Sequence, residues 1–476
     1  MISGAAYVVK ALQEENVEIL FNYPGAATID IMDELYKQDQ VKVILPRHEQ
    51  ALAHAADGYA RSTGKVGVCM VTSGPGATNL VTGIATAYSD SVPMVCITGQ
   101  VDLALMGNDA FQEVDTVGIV RNVSKYAVTV RDRKDLGRIL KEAFYIARTG
   151  RPGPVVVDIP KNIQKAMGSD VYPDEVNIRG YKPNTTVHIG QVKKACSVIA
   201  KAKRPLFLLG GGISISGANE LMTQLVDKTG IPVVTTLMGK GAISSRHPLY
   251  LGNVGIHGGY APNVAITDCD VMISIGTRFN DRITGKLSTF AQNCKIVHID
   301  VDAASISKNI KVDIPIVADA KLAIEALLEY IEPHDLGDWP TQLQQLKEER
   351  PVTQAGEEGL TPQNIIDYIN NHYDRPGDNR CRSKPIVDYA IPRNRRQSSI
   401  VDIWWFRYDG LWIPCGYWCS IWQSYKTRIR HLWGWGRANE YSRICNSYAL
   451  PFACDLGCHQ QWLSWQCTSV ATIILR

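Results

Sequence analysis

Short apolar runs alternate with amphipathic helical patterns along the first 165 residues of the chain. The apolar runs cover residues 17–21, 41–45, 66–71, 93–98 and 154–159. Strands of this length that alternate with helices are typical of parallel sheets with helices on both faces. Residues 1–165 are therefore predicted to form an α/β domain with a doubly wound parallel sheet.

The same alternation returns after a polar connector, residues 166–187, and predicts a second α/β domain over residues 188–335. Its predicted strands are residues 205–209, 233–235, 271–275 and 295–299. A charged connector that contains proline follows at residues 336–360. Residues 361–376 follow as a separate segment, and its part up to residue 373 has the pattern of one helix, with Thr361 as its cap and proline at the next position.

Composition narrows the class of protein. A chain of 476 residues with 45% hydrophobic and 20% charged residues can bury a large core, and its length suggests about three domains. The net charge of +3 comes without a basic stripe, which argues against nucleic acid or a membrane surface as a partner. The first twenty residues form an amphipathic pattern without a basic start, so we predict no signal peptide, a cytoplasmic location and reduced cysteines.

The most informative stretch is residues 45–79, because it places one carboxylate, Glu49, directly after an apolar strand. A helical pattern begins at Glu49, and Leu52, Ala56 and Tyr59 share one face of it. Functional groups of open parallel sheets often lie at this strand-to-helix edge. The alternative for Glu49 is an ordinary glutamate that stabilises the helix N-terminus through the macrodipole.

This stretch carries a resemblance to a known family. RHEQ at residues 47–50 and TSGPGATN at residues 72–79 are similar to the pyrimidine-binding domain of thiamine-diphosphate enzymes. Three further segments narrow the resemblance to the acetolactate (acetohydroxyacid) synthase large subunits. They are AFQE at 110–113, GRPGPVVVDIPK at 150–161 and IDVDAASISKNIKVDIPIVADA at 299–320. The resemblance covers about residues 1–376 and implies the thiamine-diphosphate enzyme fold.

The resemblance implies roles for several residues of the first domain. A buried glutamate in these enzymes protonates the aminopyrimidine of thiamine diphosphate, and Glu49 occupies its place in the motif. Gln112 and Lys161 are carried over as residues of the substrate pocket. The other positions implied to lie against the cofactor are Gly25, Ala26, Gly74, Pro75, Asn79 and Phe111.

Each of these positions has a plainer alternative. The segment from Pro24 to Ala26 is an ordinary turn when taken alone, and many relatives have glycine where this chain has Ala26. The glycine-rich turn at residues 72–79 would suit a phosphate, but it lacks the Walker lysine and the GxGxxG spacing. Phe111 could be a core residue, and Lys161 a solvated surface lysine.

The resemblance also implies that the second domain binds flavin adenine dinucleotide (FAD). Its LLGGGI segment, residues 208–213, ends a strand in three glycines, but the spacing is not the dinucleotide fingerprint, so the motif is weak alone. Asp300 closes a strand, where it could accept hydrogen bonds from a ribose. The positions carried over for FAD are Arg151, Gly210, Gly211, Gly212, Thr236, Leu237, Met238, His257, Gly276, Thr277, Arg278, Asp300 and Asp319.

The family reaction implied is decarboxylation of pyruvate and condensation of the two-carbon unit with pyruvate or 2-oxobutyrate. A homodimer or tetramer and a regulatory small subunit are implied as partners. The family binds Mg²⁺ through a Gly-Asp-Gly motif with a later asparagine, and this chain lacks that motif, so no metal ligand is assigned. The rival hypotheses are a sister enzyme of the pyruvate oxidase or oxalyl-CoA decarboxylase type and a flavin-binding remnant without catalysis.

The last hundred residues differ in composition from the rest. Nine of the ten tryptophans and seven of the twelve cysteines follow residue 376. Zinc binding by Cys415, Cys419, Cys454 and Cys458 is disfavoured because neither pair has CxxC spacing.

Tryptophan has one codon, TGG, so Trp404-Trp405 read one base later must contain the Gly-Gly of related enzymes. We therefore predict that residues 377–476 are translated out of frame, that they disrupt the third domain, and that the chain is inactive; the alternative is a divergent domain.

Overall fold

A parallel six-stranded sheet forms the centre of the first half of the chain in the computed structural model, which describes residues 1–352. The strands and helices of this first unit are β1 (Ile2–Ser3), α1 (Gly4–Glu14), β2 (Ile19–Asn22), α2 (Ile29–Tyr36), β3 (Lys42–Ile44), α3 (Glu49–Thr63), β4 (Gly67–Val71), α4 (Pro75–Asn79), α5 (Val81–Asp90), β5 (Met94–Gln100), α6 (Thr116–Val120), β6 (Tyr126–Thr129), α7 (Leu136–Arg148), β7 (Pro154–Pro160), α8 (Lys161–Lys165) and β8 (Met167–Gly168). Short 3₁₀ helices lie at Ala26–Thr28 and Arg133–Asp135.

The strand order of this sheet is β3-β2-β4-β5-β7-β6, and every pair is parallel. The chain moves outward from β2 to β3, then returns to the other side of β2 to form β4. The carboxyl ends of β2 and β4 therefore flank the point where the winding direction reverses. In open parallel sheets a crevice for ligands forms at this point.

Helices cover both faces of the first sheet, which explains why β4, β5 and β7 are buried along their whole length and are mostly apolar. Along β4 the side chains alternate between two cores. Val68 and Met70 pack in the core beneath α1, α2 and α7, whereas Cys69 and Val71 pack in the core beneath α3 and α5.

The second unit repeats this architecture. Its elements are α9 (Ile189–Ile199), β9 (Pro205–Leu209), α10 (Gly212–Ile215), α11 (Asn219–Thr229), β10 (Val233–Thr235), β11 (Tyr250–Asn253), α12 (Tyr260–Asp268), β12 (Val271–Ile275), α13 (Asp281–Thr284), β13 (Lys295–Asp300), β14 (Ile314–Val317), α14 (Ala320–Tyr330) and α15 (Trp339–Glu349), with 3₁₀ helices at Leu287–Thr289 and Ala303–Ser305. The parallel order β11-β10-β9-β12-β13-β14 reverses direction between β9 and β12. The prediction of doubly wound parallel α/β domains is thus confirmed.

The two predicted connectors contain more structure than the sequence pattern indicated. Residues 166–187 were predicted as a linker, but β8 pairs with β1. The connector after β8 packs on the first unit, where Tyr172 donates a hydrogen bond to Glu15 Oε1 (3.0 Å). Residues 336–360 were predicted as a connector, and in the described part of this range α15 buries Trp339 against the second core. The sequence pattern did not predict α15, because the segment is mostly polar and only one edge of the helix is apolar.

The segment 361–376 with its predicted helix, the predicted out-of-frame tail at 377–476 and the four cysteines considered for zinc lie outside the described residues. Within residues 1–352, no helix combines the length and the apolar character that crossing a bilayer requires.

Candidate functional site

Glu49 lies at the carboxyl edge of the first sheet, beside the reversal point. It is the first residue of α3, and the His48 side chain caps this helix by accepting a hydrogen bond from the Gln50 N–H (3.1 Å). The Glu49 side chain is half-buried in the single chain. Asn79, at the end of α4, donates a hydrogen bond from Nδ2 to Glu49 Oε2 (3.0 Å). The two residues predicted from RHEQ and TSGPGATN are therefore in direct contact.

The turn after β2 lies at the same carboxyl edge of the sheet and is held from two sides. The Ala27 N–H donates a hydrogen bond to Thr72 Oγ1 (3.2 Å) at the end of β4. Lys161, at the start of α8, donates a hydrogen bond to the Ala26 carbonyl (2.7 Å) and pairs with Asp30 (3.0 Å). Lys161 is thus not a freely solvated lysine, because its ammonium group binds the Ala26 carbonyl and fixes its position.

Gly25 has a steric reason to be glycine. A Cβ at this position would lie 2.4 Å from Thr72 Cβ, so the backbone of the turn approaches β4 as closely as glycine allows. Gln164 donates a hydrogen bond to the Ala27 carbonyl from the other side (2.7 Å). The turn therefore presents a rigid backbone next to the reversal point, and Ala26 is exposed there.

The loop after β5 reaches the same edge. Gly74 adopts a left-handed φ of 61°, and a Cβ on it would lie 2.7 Å from the Gln112 carbonyl oxygen. Gln112 itself has a positive φ of 56°. Phe111 is 85% exposed in the single chain, so it is not the core residue of the alternative interpretation. Pro75 begins α4 in the ordinary first-turn position for proline.

The three glycines after β9 have a packing role in this structure. A Cβ on Gly210 would lie 2.1 Å from the Gly276 carbonyl oxygen, and one on Gly212 would lie 2.7 Å from Gly276 Cα. The segments that follow β9 and β12 thus touch each other at the reversal point of the second sheet. Among the three, Gly211 alone faces a side chain, that of Met238 (3.2 Å to Cβ). Close approach to a nucleotide is therefore not needed to explain Gly210 and Gly212.

A charged cluster joins the first unit to the second. Arg151 donates hydrogen bonds to Ser91 Oγ (2.8 Å) and to Asp302 Oδ2 (3.3 Å). Burial and the neighbouring Arg151 guanidinium lower the pKa of Arg278. Burial raises the pKa of Asp300 to about 6, although its carboxylate accepts the Asp302 N–H (2.9 Å).

The remaining positions predicted for FAD are spread along the carboxyl edge of the second sheet. Thr236, Leu237 and Met238 follow β10, and Thr277 follows β12, where its carbonyl accepts a hydrogen bond from His298 (2.9 Å). The other two lie at opposite ends of the sheet, with exposed His257 after β11 and Asp319 after β14. Asp319 caps α14 by accepting the Lys321 N–H (2.9 Å), which is a sufficient structural role.

Sequence reasoning missed Thr72 and Asp302, although both lie in the quoted motifs. Each was passed over because its partner, Ala27 or Arg151, lies 45 or 151 residues away in the chain. No signal in one sequence identifies such a partner. In the described part of the chain no group of three His, Cys, Asp or Glu side chains is placed to hold a metal ion.

The fold and these two edges define a class of protein, namely a doubly wound α/β protein with a glutamate at one reversal point and a charged, glycine-lined edge at the other. Comparison with known families gives two matches. Residues 2–119 match "Thiamine pyrophosphate enzyme, N-terminal TPP binding domain", and residues 192–327 match "Thiamine pyrophosphate enzyme, central domain".

Curated relatives carry a narrower description. The chain is 49% identical over 381 residues to the probable acetolactate synthase large subunit of Methanococcus aeolicus. The matched stretch covers 77% of this chain and 63% of the relative. The chain is 48% identical to the corresponding protein of Methanocaldococcus jannaschii, with the same coverages. It is 44% identical to the Escherichia coli acetolactate synthase isozyme 3 large subunit, over 78% of this chain and 66% of the relative.

The chain therefore belongs to the thiamine pyrophosphate enzymes, in the family of the acetolactate synthase large subunits. It spans about 63% of the length of the first two relatives.

Proposed function

We propose that this chain derives from an acetolactate synthase large subunit that converts two molecules of pyruvate, or pyruvate and 2-oxobutyrate, into an acetohydroxy acid. The observation that carries the proposal is the contact of Glu49 with Asn79 at the reversal point of the first sheet, next to the pinned turn at Gly25. This arrangement offers one carboxylate and a rigid backbone edge to a ligand that enters the crevice.

The hydrogen bond from Asn79 occupies one carboxylate oxygen of Glu49 and leaves the other to a ligand. Because Asn79 Nδ2 is a donor, Glu49 Oε2 must be an acceptor. A proton shared with an aminopyrimidine would therefore sit on Oε1, which has no hydrogen-bond partner among the described residues. Thiamine diphosphate supplies an acidic thiazolium carbon once its pyrimidine is protonated, and Glu49 is the group that would hold that proton.

Three other residues have positions that suit this reaction. Gln112 and Phe111 lie on the loop that rests on Gly74, where they could line a substrate pocket. Lys161 holds the Ala26 carbonyl in place, so its part is to orient the turn. A half-buried site with an exposed Phe111 would be completed by a second subunit, which supports a homodimer or a larger oligomer.

The charged cluster that joins the two units suits FAD in part. The guanidinium groups of Arg151 and Arg278 could bind a pyrophosphate, and Asp300 could accept a ribose hydroxyl. We propose that FAD lies along this edge and has a structural task. Among residues 1–352 no three His, Cys, Asp or Glu side chains are grouped to hold a metal ion, and we propose that a third domain in the correct frame binds the metal and the diphosphate. We accordingly propose that the chain as printed is inactive and that the active protein is cytoplasmic, with a regulatory small subunit as a further partner.

The decisive experiment uses a full-length protein in which the frame after residue 376 is restored. It should form acetolactate from pyruvate in a thiamine-dependent manner, and Glu49→Gln should remove most of this activity. Glu220→Gln is the matched control, because Glu220 is an exposed glutamate in the first turn of α11. Near-normal turnover of Glu49→Gln, or an equal loss in both variants, would refute the assignment.

A further inference from the structure

A carboxylate is buried in the middle of the first sheet without a cation beside it. Asp158 lies on β7, is 1% exposed, and belongs to none of the salt bridges found among residues 1–352. Its neighbours in register on the two flanking strands, Thr98 and Thr129, both donate hydrogen bonds to it. Thr98 Oγ1 donates to Oδ1 (2.6 Å) and Thr129 Oγ1 donates to Oδ2 (3.3 Å). Burying a carboxylate costs free energy, and hydrogen bonds from these two hydroxyl groups offset part of that cost.

The third donor to Asp158 is Gln100, the last residue of β5, which is fully buried. Gln100 Nε2 donates to Asp158 Oδ2 (3.1 Å) and also to the carbonyl of Val114 (2.9 Å). Gln100 Oε1 accepts the N–H of Val101 (2.9 Å). One side-chain amide thus holds both ends of the segment 101–115, here called the substrate loop.

Asp158 determines which way this amide points. An ionised carboxylate can only accept hydrogen bonds, so it forces the Nε2 side of Gln100 toward itself. The Oε1 side must then face the Val101 N–H, which is the orientation that clamps the loop. Burial raises the pKa of Asp158 to about 6, with a smaller contribution from Asp115, so the acceptor form prevails at pH 7.5.

The Gln100 hydrogen bonds, here called the clamp, affect the candidate site because Gln112 lies on the same loop. The Gln112 carbonyl oxygen would lie 2.7 Å from a Cβ on Gly74, and no element other than this loop connects β5 to α6. A shift at the base of the loop would therefore move Gln112 and Phe111 relative to the turn that carries Gly74.

We propose that Asp158 and Gln100 are positioning residues that fix the substrate loop, and with it Phe111 and Gln112, against the glycine-rich turn. The importance of this loop for catalysis rests on the proposed function, but the clamp itself does not. The pair acts on the reaction through the loop, and neither residue is assigned a contact with substrate.

Hydrogen–deuterium exchange measured by mass spectrometry on the full chain at pH 7.5 tests the clamp. Gln100→Met keeps the shape and removes the polar contacts, and Asp158→Asn removes the obligatory acceptor. Both should make peptides from residues 101–115 exchange about tenfold faster, while peptides from α3 and β4 stay within about twofold of the parent. Thr98→Val is the matched control, because it removes a hydrogen bond to the other oxygen of the same carboxylate and leaves all three Gln100 hydrogen bonds.

The proposal is overturned if Thr98→Val accelerates exchange in the loop as much as Gln100→Met does, or if residues 101–115 exchange no faster in Gln100→Met than in the parent. Should Gln100→Met fail to fold, Gln100→Asn offers a milder change, since it only shortens the side chain by one methylene. Absence of thiamine-dependent activity in the restored protein would refute the proposed function and leave the exchange result standing, so the two failures are distinguishable.

Discussion

Replacing Gly83 with alanine should push α5 away from α3, the helix that begins at Glu49. Gly83 lies in α5, which begins two residues after Asn79 ends α4, and Ala53 lies in α3 one helical turn after Glu49. A methyl group at position 83 would lie 2.4 Å from Ala53 Cβ. Non-bonded carbon atoms pack at about 3.5–4.0 Å, so the helices would have to separate by about 1 Å or more.

The magnitude follows from two opposing effects. Overpacking of a buried contact costs about 1–3 kcal/mol. Alanine in place of glycine within a helix returns up to about 1 kcal/mol. We therefore expect the free energy of unfolding to fall by about 1–2 kcal/mol, as measured by urea denaturation followed by circular dichroism.

A double variant separates this steric cause from a general loss of stability. Ala53→Gly removes the methyl group that the new alanine meets. The Gly83→Ala/Ala53→Gly protein should be more stable than the sum of the two single changes by about 1 kcal/mol or more. Strictly additive effects, or a Gly83→Ala variant as stable as the parent, would show that Gly83 does not set the spacing of α3 and α5.

Two further predictions concern stability. Burial lowers the pKa of His298 to about 4, so the folded chain binds fewer protons than the unfolded chain between about pH 6.5 and pH 4, and up to about 3 kcal/mol of stability is lost as the pH falls through this window. His298→Gln should reduce that dependence in urea titrations at pH 7 and pH 4.5, and an unchanged dependence would contradict the assignment. Gly74→Ala should cost about 2 kcal/mol or more, because it combines positive φ with a 2.7 Å approach to Gln112. Gly217→Ala is its control, with a φ of 67° but open space around the position, and should lower the melting temperature less.

Much of the strand pattern was accessible from sequence because buried parallel strands are short, continuous and apolar. The predicted strands at residues 205–209, 233–235 and 271–275 coincide with β9, β10 and β12. Strand β6 was not predicted, since Tyr126–Thr129 lies at the sheet edge and is not fully buried. Helix α15 was missed for a similar reason, because most of its surface is polar and only its inner edge is apolar.

The glycines of the second domain show a limit of motif reasoning. A strand that ends in three glycines suggested close approach of a bound nucleotide, but two of the three are needed where the chain meets its own backbone at Gly276. Both causes require the absence of Cβ, so one sequence cannot separate them. Three-dimensional contacts can.

By itself, the sequence determined the alternation of strands and helices, the place of Glu49 at the start of a helix, and the motifs that connect the chain to its family. These depend on residues that are neighbours along the chain. The tertiary structure alone decided that Asn79 reaches Glu49, 30 residues away, that Gln100 is oriented by Asp158, 58 residues away, and that Arg151 bridges to Asp302, 151 residues away. Such contacts depend on the order of the strands in each sheet, which long-range packing selects from several arrangements that local pattern allows equally.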